Sequence, residues 1–503
     1  MHLFNIPFTI GLTIDDMGWW LCRNDKAIGG PPRLHGTEDP KPVFYNRLFE
    51  MGKAAGTRPQ GSFIMSEFDD ENVCGKPEYN KPLSPIDVTE KGLNWTNHID
   101  GKQKYVLELL KIHNAWFEFG LHGVRHGHFE GGKFYESEWA KRPPRDEKGK
   151  FTTAQTQVEP WDEENRTNEV IADCFTALIR QYYTEEELPF PESFAPPHHI
   201  LYYDKNDKTT GAVLHKRGVK YCNAKISGRV SLESNIPKGG VVDHGMHILD
   251  RRSLRGVPFD DAAHTPVAFP RKFPWIETHF RDFWYTENKW AQYLYNINSR
   301  RHYMLGKNTE QVHSQYYYNK YAKIINLPGK VIIDTTKIPQ KAYDCDLLSS
   351  LVLKVPLGPK ENITSFTCDG EPHLTGYYKD IYGFGYVTVG SSETMGRLKR
   401  GRYVFNYTVS KKPPMIYVDN SMKTYNLYEL KNNGPASPGG FNCCLRLKVY
   451  GTQTMRVALP NPPSSAYSSD LNSEYLDYNE GFFYFRLKAK SLNGDTGEVK
   501  FIR

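Results

Sequence analysis

The chain has 503 residues, more than one hydrophobic core ordinarily supports, so two or three domains are expected. Its formal charge of +6 is dispersed, and the longest basic cluster is "GRLKRGR" at 396–402, which argues against nucleic acid as a partner. No apolar run is long enough to span a bilayer. A mean hydropathy of −0.61 with 14 % aromatic residues describes an ordinary folded chain with rings available to flat ligands such as sugars.

The opening stretch, "MHLFNIPFTIGLTIDD", lacks a charged leader and a small-residue cleavage site, so it reads as a strand. Phe8, Ile10, Leu12 and Ile14 alternate onto one side of it. The strand ends in Asp15 and Asp16, whose side chains point opposite ways in an extended chain, so one can serve a metal and the other a water. The same pair before Met-Gly also suits turn and capping chemistry. Trp19 and Trp20 follow as candidates to stack on a pyranose ring.

"GSFIMSEF" at 61–68 is a second strand, and "QKYVLELLKIHNA" has helical spacing before "FEFGLHGVRHGHF" at 117–129. His122 and His126 are four apart, which predicts both on one face of a helical turn. With one Asp they leave coordination positions open, as a hydrolytic metal requires. His128 falls off that face and is read as a supporting or loop residue.

"NEVIADCFTALIRQYY" is a helix by period, and "GAVLHKRGVKYCNA" reads as helix end, Gly, strand. "VVDHGMHILD" offers Asp243, His244, His247 and Asp250, a rival metal stretch in a turn-rich segment, read chiefly as cleft lining or loop. "FPWIETHF" closes the series as a strand with Glu277 and His279 on one face. His279 is read as a general acid or, alternatively, a hydrogen-bonded barrel histidine. Strands and helices taking turns predict an α/β parallel barrel with long inserted loops at 26–60 and 130–165, its reactive groups at the carboxyl ends of the strands.

A boundary is expected near "NLPGK" at 326–330, after "EQVHSQYYYNKYAKII", giving a barrel over 1–328 and an all-β region over 329–503. There "SLVLKVPL", "GYVTVG", "RYVFNYTV", "CLRLKVYG" and "FFYFRLKAK" alternate as in a β-sandwich, with "KKPP" at 411–414 as a point of division into two modules. Sixteen of seventeen histidines lie at or before His313 and all nine tryptophans at or before Trp290, so the chemistry is expected in the first region and a packing or spacer role in the second. The eight cysteines contain no C-x-x-C pair and read as buried thiols, with Cys345 and Cys368 bridged if the protein is secreted. The compartment stays open; a secreted or periplasmic location after loss of a leader is favoured over a cytoplasmic one.

In their order along the chain, "FTIGLTIDD", "GSFIMSEF", "FEFGLHGVRHGH" and "WIETHF" resemble the polysaccharide deacetylases of carbohydrate esterase family four, over roughly the first 280 residues. The resemblance implies an irregular (β/α)7 barrel and, usually, Zn2+. It implies hydrolysis of an N-acetyl group on a sugar or polysaccharide, with an O-acetyl group second. Position by position it makes Asp15 the base, Asp16, His122 and His126 the metal ligands, and His279 the acid. Pro197, His198 and Glu277 are expected to line the substrate site.

The chain departs from the family pattern in three places. Gly123 stands where the family carries Ser or Thr; "FAPPHHILYY" puts Ala195 in the place of the arginine that orients the base, with His198 or His199 as substitutes; and no Asp-x-x-Asp-Trp follows. Two other functions remain: a metal-free glycoside hydrolase using Asp15 and Glu277 as a carboxylate pair, and a catalytically silent barrel that binds carbohydrate.

Overall fold

A computed structural model describes residues 2–17, 42–69, 71, 73–80, 102–130, 133–135, 137–141, 158–162, 166–203, 209–225, 240–253, 273–280, 287–390, 396–432, 442–461, 463–468 and 470–502. Trp19 and Trp20 lie outside the described residues.

The first region alternates strand and helix. In chain order it contains β1 (Phe8–Met17), α1 (Pro42–Ala55), β2 (Gln60–Ile64), α2 (Lys102–Ile112), β3 (Glu118–Gly123) and α3 (Arg166–Arg180). There follow β4 (Ser193–Phe194), α4 (Thr210–Lys216), β5 (Tyr221–Ala224), β6 (Met246–Ser253), β7 (Trp275–His279) and α5 (Glu287–Asn296). The seven strands pair in parallel in the order β7-β1-β2-β3-β4-β5-β6, and β6 pairs back onto β7, which closes the barrel.

The local chemistry accounts for these elements. In α3 the 3.6-residue period buries Ile171, Cys174, Phe175, Leu178 and Ile179 against the barrel. Every β1 residue after Phe8 is buried, because one face meets helices and the other faces the bore. The upper bore is polar: Thr13 Oγ1 lies 3.3 Å from Ser62 Oγ, and Asn223 Nδ2 donates to Gln60 Oε1. These polar residues hydrogen-bond one another toward the carboxyl ends of the strands, while Leu249, Trp275 and Val312 pack together below them, next to Gly11.

The strand β6 corrects one reading. "MHILDRRS" was expected in a turn-rich segment apart from the strand series, yet it is an eight-residue barrel strand. The turn signal belongs to His244 and Gly245, with φ of +49° and +104°, which close the tight hairpin from Val241–Asp243 into β6.

The first half of β1 has another parallel partner, β8 (Tyr303–Leu305), with Phe8 opposite Tyr303 and Ile10 opposite Leu305. Next comes α6 (Thr309–Tyr321), capped by Asn308 and buried from Gln311 to Tyr318. A β hairpin, β9 (Lys323–Leu327) with β10 (Lys330–Asp334), spans position 328. The rest of the chain forms antiparallel-rich sheets of five, seven and four strands, so the fold is a parallel α/β barrel followed by a β-sandwich region. The seven-stranded sheet takes strands from both sides of residue 411, through Leu374–Lys379 paired with Tyr417–Asp419.

Polar groups join the two regions. Arg58 is buried, donates to Glu118, Asn114 and the Leu492 carbonyl, and lies 4.2 Å from the centre of the Tyr450 ring. Lys354 Nζ donates to the carbonyls of Asn298, Arg300 and Tyr303 at 2.7, 2.8 and 2.8 Å. Cys345 and Cys368, expected as a bridge in a secreted protein, are free; Cys345 follows the helix Gln340–Asp344, while Cys368 ends a strand with its thiol 3.8 Å from Asp369. Among the described residues no helix is long and apolar enough to cross a membrane.

Candidate metal centre

Asp15 and Asp16 stand at the carboxyl end of β1, where Asp15 is in register with His279 of β7. Asp16 has φ +58°, a left-handed turn of the backbone that ends the regular strand. Its Oδ1 lies 3.5 Å from His122 Nε2 and 3.5 Å from His126 Nε2. Asp16, His122 and His126 are all buried, and among the described residues they form the one group of three donor side chains close enough to share an ion.

The histidines meet by a different route from the one their spacing predicts. His122 is on β3, and the chain then turns at Gly123, φ +153°, and His126, φ +69°. A strand end and a left-handed residue bring the rings together, with centroids 5.2 Å apart, in place of the expected helical face. His122 Nδ1 donates to the Ala195 carbonyl, which leaves Nε2 as the free donor facing Asp16.

The donor set fits a tetrahedral cation. Bonds of about 2.0–2.2 Å to zinc separate neighbouring ligand atoms by about 3.3–3.6 Å, which matches the two 3.5 Å separations. Asp16 Oδ1 is also a buried oxygen with no hydrogen-bond partner, which a bound cation would satisfy. Burial disfavours the Asp16 carboxylate, but the facing His122 ring and the charges of His126 and His279 hold its pKa well below the usual range. Burial opposes charge on His122 as well, and the Asp15 and Asp16 carboxylates outweigh it, so its pKa is raised.

Beside this set lies Asp15, gripped by an arginine. Arg251 of β6 places Nη1 3.0 Å from Asp15 Oδ1 and Nη2 2.8 Å from Oδ2. The same guanidinium donates to Asn223 Oδ1 at 3.0 Å and to His199 Nδ1 at 2.9 Å, and its Nε stands 3.6 Å from Glu277 Oε2. Burial disfavours its charge, yet Asp15 and Glu277 hold it cationic. Burial pushes Glu277 up, with Asp15 adding to the effect and Arg251 opposing it.

The side chain that holds Asp15 thus comes from β6, and His199 braces Arg251 with its Nε2 3.4 Å from Glu277. Burial and the Arg251 charge keep the His199 pKa well below the usual value, consistent with a ring that accepts from Arg251.

The remaining expected residues fall around this centre. His279 Nε2 lies 3.8 Å from Asp16 Oδ2. Pro197 is buried in a short turn, and His198 sets its ring edge-on to His126 at 5.1 Å. His198 and His199 have φ of +49° and +65°, so four of the nine non-glycine residues with positive φ among the described residues converge here. Each such residue costs on the order of 1–3 kcal/mol, less for Asp and His, and strain of this kind concentrates at functional sites.

The rival stretch disperses. Asp243 accepts from Thr209 Oγ1 and Gly211 N and pairs with His244, which spends it on the start of α4. His247 stacks on Tyr317 at 4.6 Å and faces His313, 2.9 Å between Nδ1 atoms, while Asp250 sits on β6 opposite Ala224.

Glu138 and Trp139, which no motif pointed to, hold the histidine loop. The Glu138 carboxylate accepts from the amides of Val124 and Arg125, and Trp139 Nε1 donates to the His122 carbonyl at 2.8 Å. Burial pushes the Glu138 carboxyl up to about 7 against the pull of those amides.

The arrangement is thus a closed parallel barrel with a β-sandwich region and a buried Asp-His-His group at its strand ends. No protein-family profile and no curated protein matches the chain. Among solved structures it is similar to the GH57-type branching enzyme of the hyperthermophilic archaeon Pyrococcus horikoshii, at 13 % identity and a TM-score of 0.26. That match covers 51 % of this chain and 48 % of the other, so the chain spans about half the length of the branching enzyme; the likeness is too slight to bear on activity.

Proposed function

We propose that the protein is a metal-dependent carbohydrate deacetylase that hydrolyses an N-acetyl group, with O-acetyl second, on a sugar or polysaccharide. The observation that carries the reading is the pairing of two units: a buried Asp16-His122-His126 donor set with tetrahedral spacing, and an adjacent carboxylate, Asp15, held by a forked guanidinium. The substrate class rests on the ordered resemblance of four motifs.

A divalent cation, most simply Zn2+, held by Asp16, His122 and His126 would supply Lewis-acid activation of a water and of the acyl oxygen, worth several kcal/mol. Asp15 takes the proton as water attacks the acyl carbon, and Arg251 fixes the direction of its oxygens. His279, across from Asp15 in the strand register, gives a proton to the departing amine nitrogen. The left-handed residues around the centre hold these groups in place before substrate arrives.

One observation favours a second reading. Glu277 is buried with a raised pKa, as suits the acid of a glycosidase carboxylate pair with Asp15. The deciding measurement is acetate released from N-acetylated oligosaccharides by purified protein, with its metal content, before and after chelation. Release is expected to stop on chelation and return with Zn2+. Acetate release that survives metal stripping would defeat the metal-dependent reading, and cleavage of the glycosidic bond without metal would establish the other.

A further inference from the structure

Gly123 has no side chain, and the space it leaves is already filled. A Cβ built there would lie 1.7 Å from Glu138 Oε1 and 2.9 Å from its Cδ. Glu138 comes from a segment fifteen residues further on and is 1 % exposed. Its Oε1 accepts from Val124 N at 2.6 Å and its Oε2 from Arg125 N at 2.9 Å, while its own amide donates to the His126 carbonyl at 3.3 Å.

The neighbours of Glu138 extend this grip. Trp139 Nε1 donates to the His122 carbonyl at 2.8 Å, and Ser137 Oγ ties the segment to the Ile200 carbonyl at 3.3 Å. The loop between the two imidazoles is therefore bonded at positions 122, 124, 125 and 126 to two consecutive residues of a second segment, Glu138 and Trp139. Few of these amides can find a partner within the loop itself, because a turn containing Gly123 and a left-handed His126 forms neither helix nor ladder.

We propose that Glu138 is the positioning residue of this loop: its carboxylate occupies the space left at Gly123 and fixes the separation of His122 and His126. The inference rests on the metal reading for what the loop holds, but the clamp itself is a property of the chain without any ion. It also makes Gly123 and Glu138 a matched pair, since a larger residue at 123 and a carboxylate from 138 cannot share the space.

The test uses the full chain and its Glu138→Gln and Glu138→Ala variants. Gln has nearly the same shape but offers one acceptor where the carboxylate offers two, so it keeps the packing and loses one amide bond. Amide hydrogen exchange is measured on cation-free protein, and Zn2+ affinity by competition with a chromophoric chelator. In Glu138→Gln, exchange at whichever of Val124 and Arg125 loses its acceptor is expected to rise about tenfold or more with the global melting temperature nearly unchanged, and Zn2+ affinity to fall by about 10–100-fold.

Should Glu138→Ala fail to fold, Glu138→Gln and Trp139→Phe carry the test, the latter removing only the donor to the His122 carbonyl. Unchanged exchange at both amides in Glu138→Gln overturns the proposal. So does an affinity loss that only tracks global unfolding. If the wild-type chain takes up no Zn2+, the metal reading falls, and the exchange measurement alone still decides the clamp.

Discussion

Arg251 holds Asp15 through both arms of its guanidinium, although 236 positions separate them in the chain. The side chain of Arg251 is wholly buried and that of Asp15 almost so, so neither charge has water to replace its partner. The pair fixes the orientation of the carboxylate proposed to receive the proton.

Replacing Arg251 by Met is therefore expected to cost about 3–5 kcal/mol of stability, because Asp15 is left buried and unpaired. Arg251→Lys keeps the charge and loses the fork, so most of the stability should remain while turnover falls. Denaturant melts and acetate-release rates on both variants check this. Full activity in Arg251→Lys would show that a point charge suffices.

Asp15→Asn is expected to keep the cation and lose turnover by a factor of about 10²–10⁴, the usual worth of a positioned general base. Metal analysis alongside initial rates separates the two effects. Persistent turnover would place the base elsewhere.

His122→Ala is expected to lose the cation, since the Asp-His-His group is reduced to two donors. Metal content after dialysis measures it. A fully occupied site in this variant would move the ligands to other side chains.

His279→Ala should slow amide cleavage more than ester cleavage, because an amine leaves only when protonated while an alkoxide departs more readily. Paired rates on an N-acetyl and an O-acetyl substrate give the ratio. Equal losses on both would remove the acid role.

A final prediction concerns acid stability. Trp275 Nε1 donates to His313 Nε2, so His313 Nδ1 carries the hydrogen directed at His247, and both rings are neutral in the fold. Burial pushes His247 down to about 3 and His313 well below its ordinary value. Above about pH 6.5 both folded and unfolded chains hold these rings neutral and their contribution is intact. As pH falls below that, the unfolded chain binds protons that the folded chain refuses, so stability should drop by about 1.4 kcal/mol per pH unit for each ring. Urea melts between pH 7 and pH 4 measure the slope, and replacing both histidines by Phe and Leu should flatten it. A slope unchanged in that double variant would trace the acid sensitivity to other groups.

The barrel was readable where apolar period and burial coincide. Phe8, Ile10, Leu12 and Ile14 on β1, and the Ile171 to Ile179 face of α3, are examples. Strand β6 escaped because its apolar residues Met246, Ile248 and Leu249 fall on both faces and its end is charged, Asp250-Arg251-Arg252, so no clean apolar alternation marks it. The donors Asp16, His122 and His126 were legible as residue types, but the left-handed backbone that unites them was not, since nothing local to His126 demands φ > 0. Arg251 and Glu138 were illegible for one reason: each works through a partner that only the closed barrel brings near.

The pairing of β8 with the first half of β1 bears on how the protein can be dissected. Phe8, Thr9 and Ile10 are zipped to Tyr303–Leu305, and Asn5 exchanges both backbone hydrogen bonds with Lys354 of the strand Leu351–Pro356. A fragment cut at residue 328 would strip Asn5 of its partner and leave the carbonyls of Asn298, Arg300 and Tyr303 without the ammonium that gathers them. Expression trials that seek the barrel by itself should therefore carry the chain at least through Pro356, or they will test a frayed edge instead of an intact barrel.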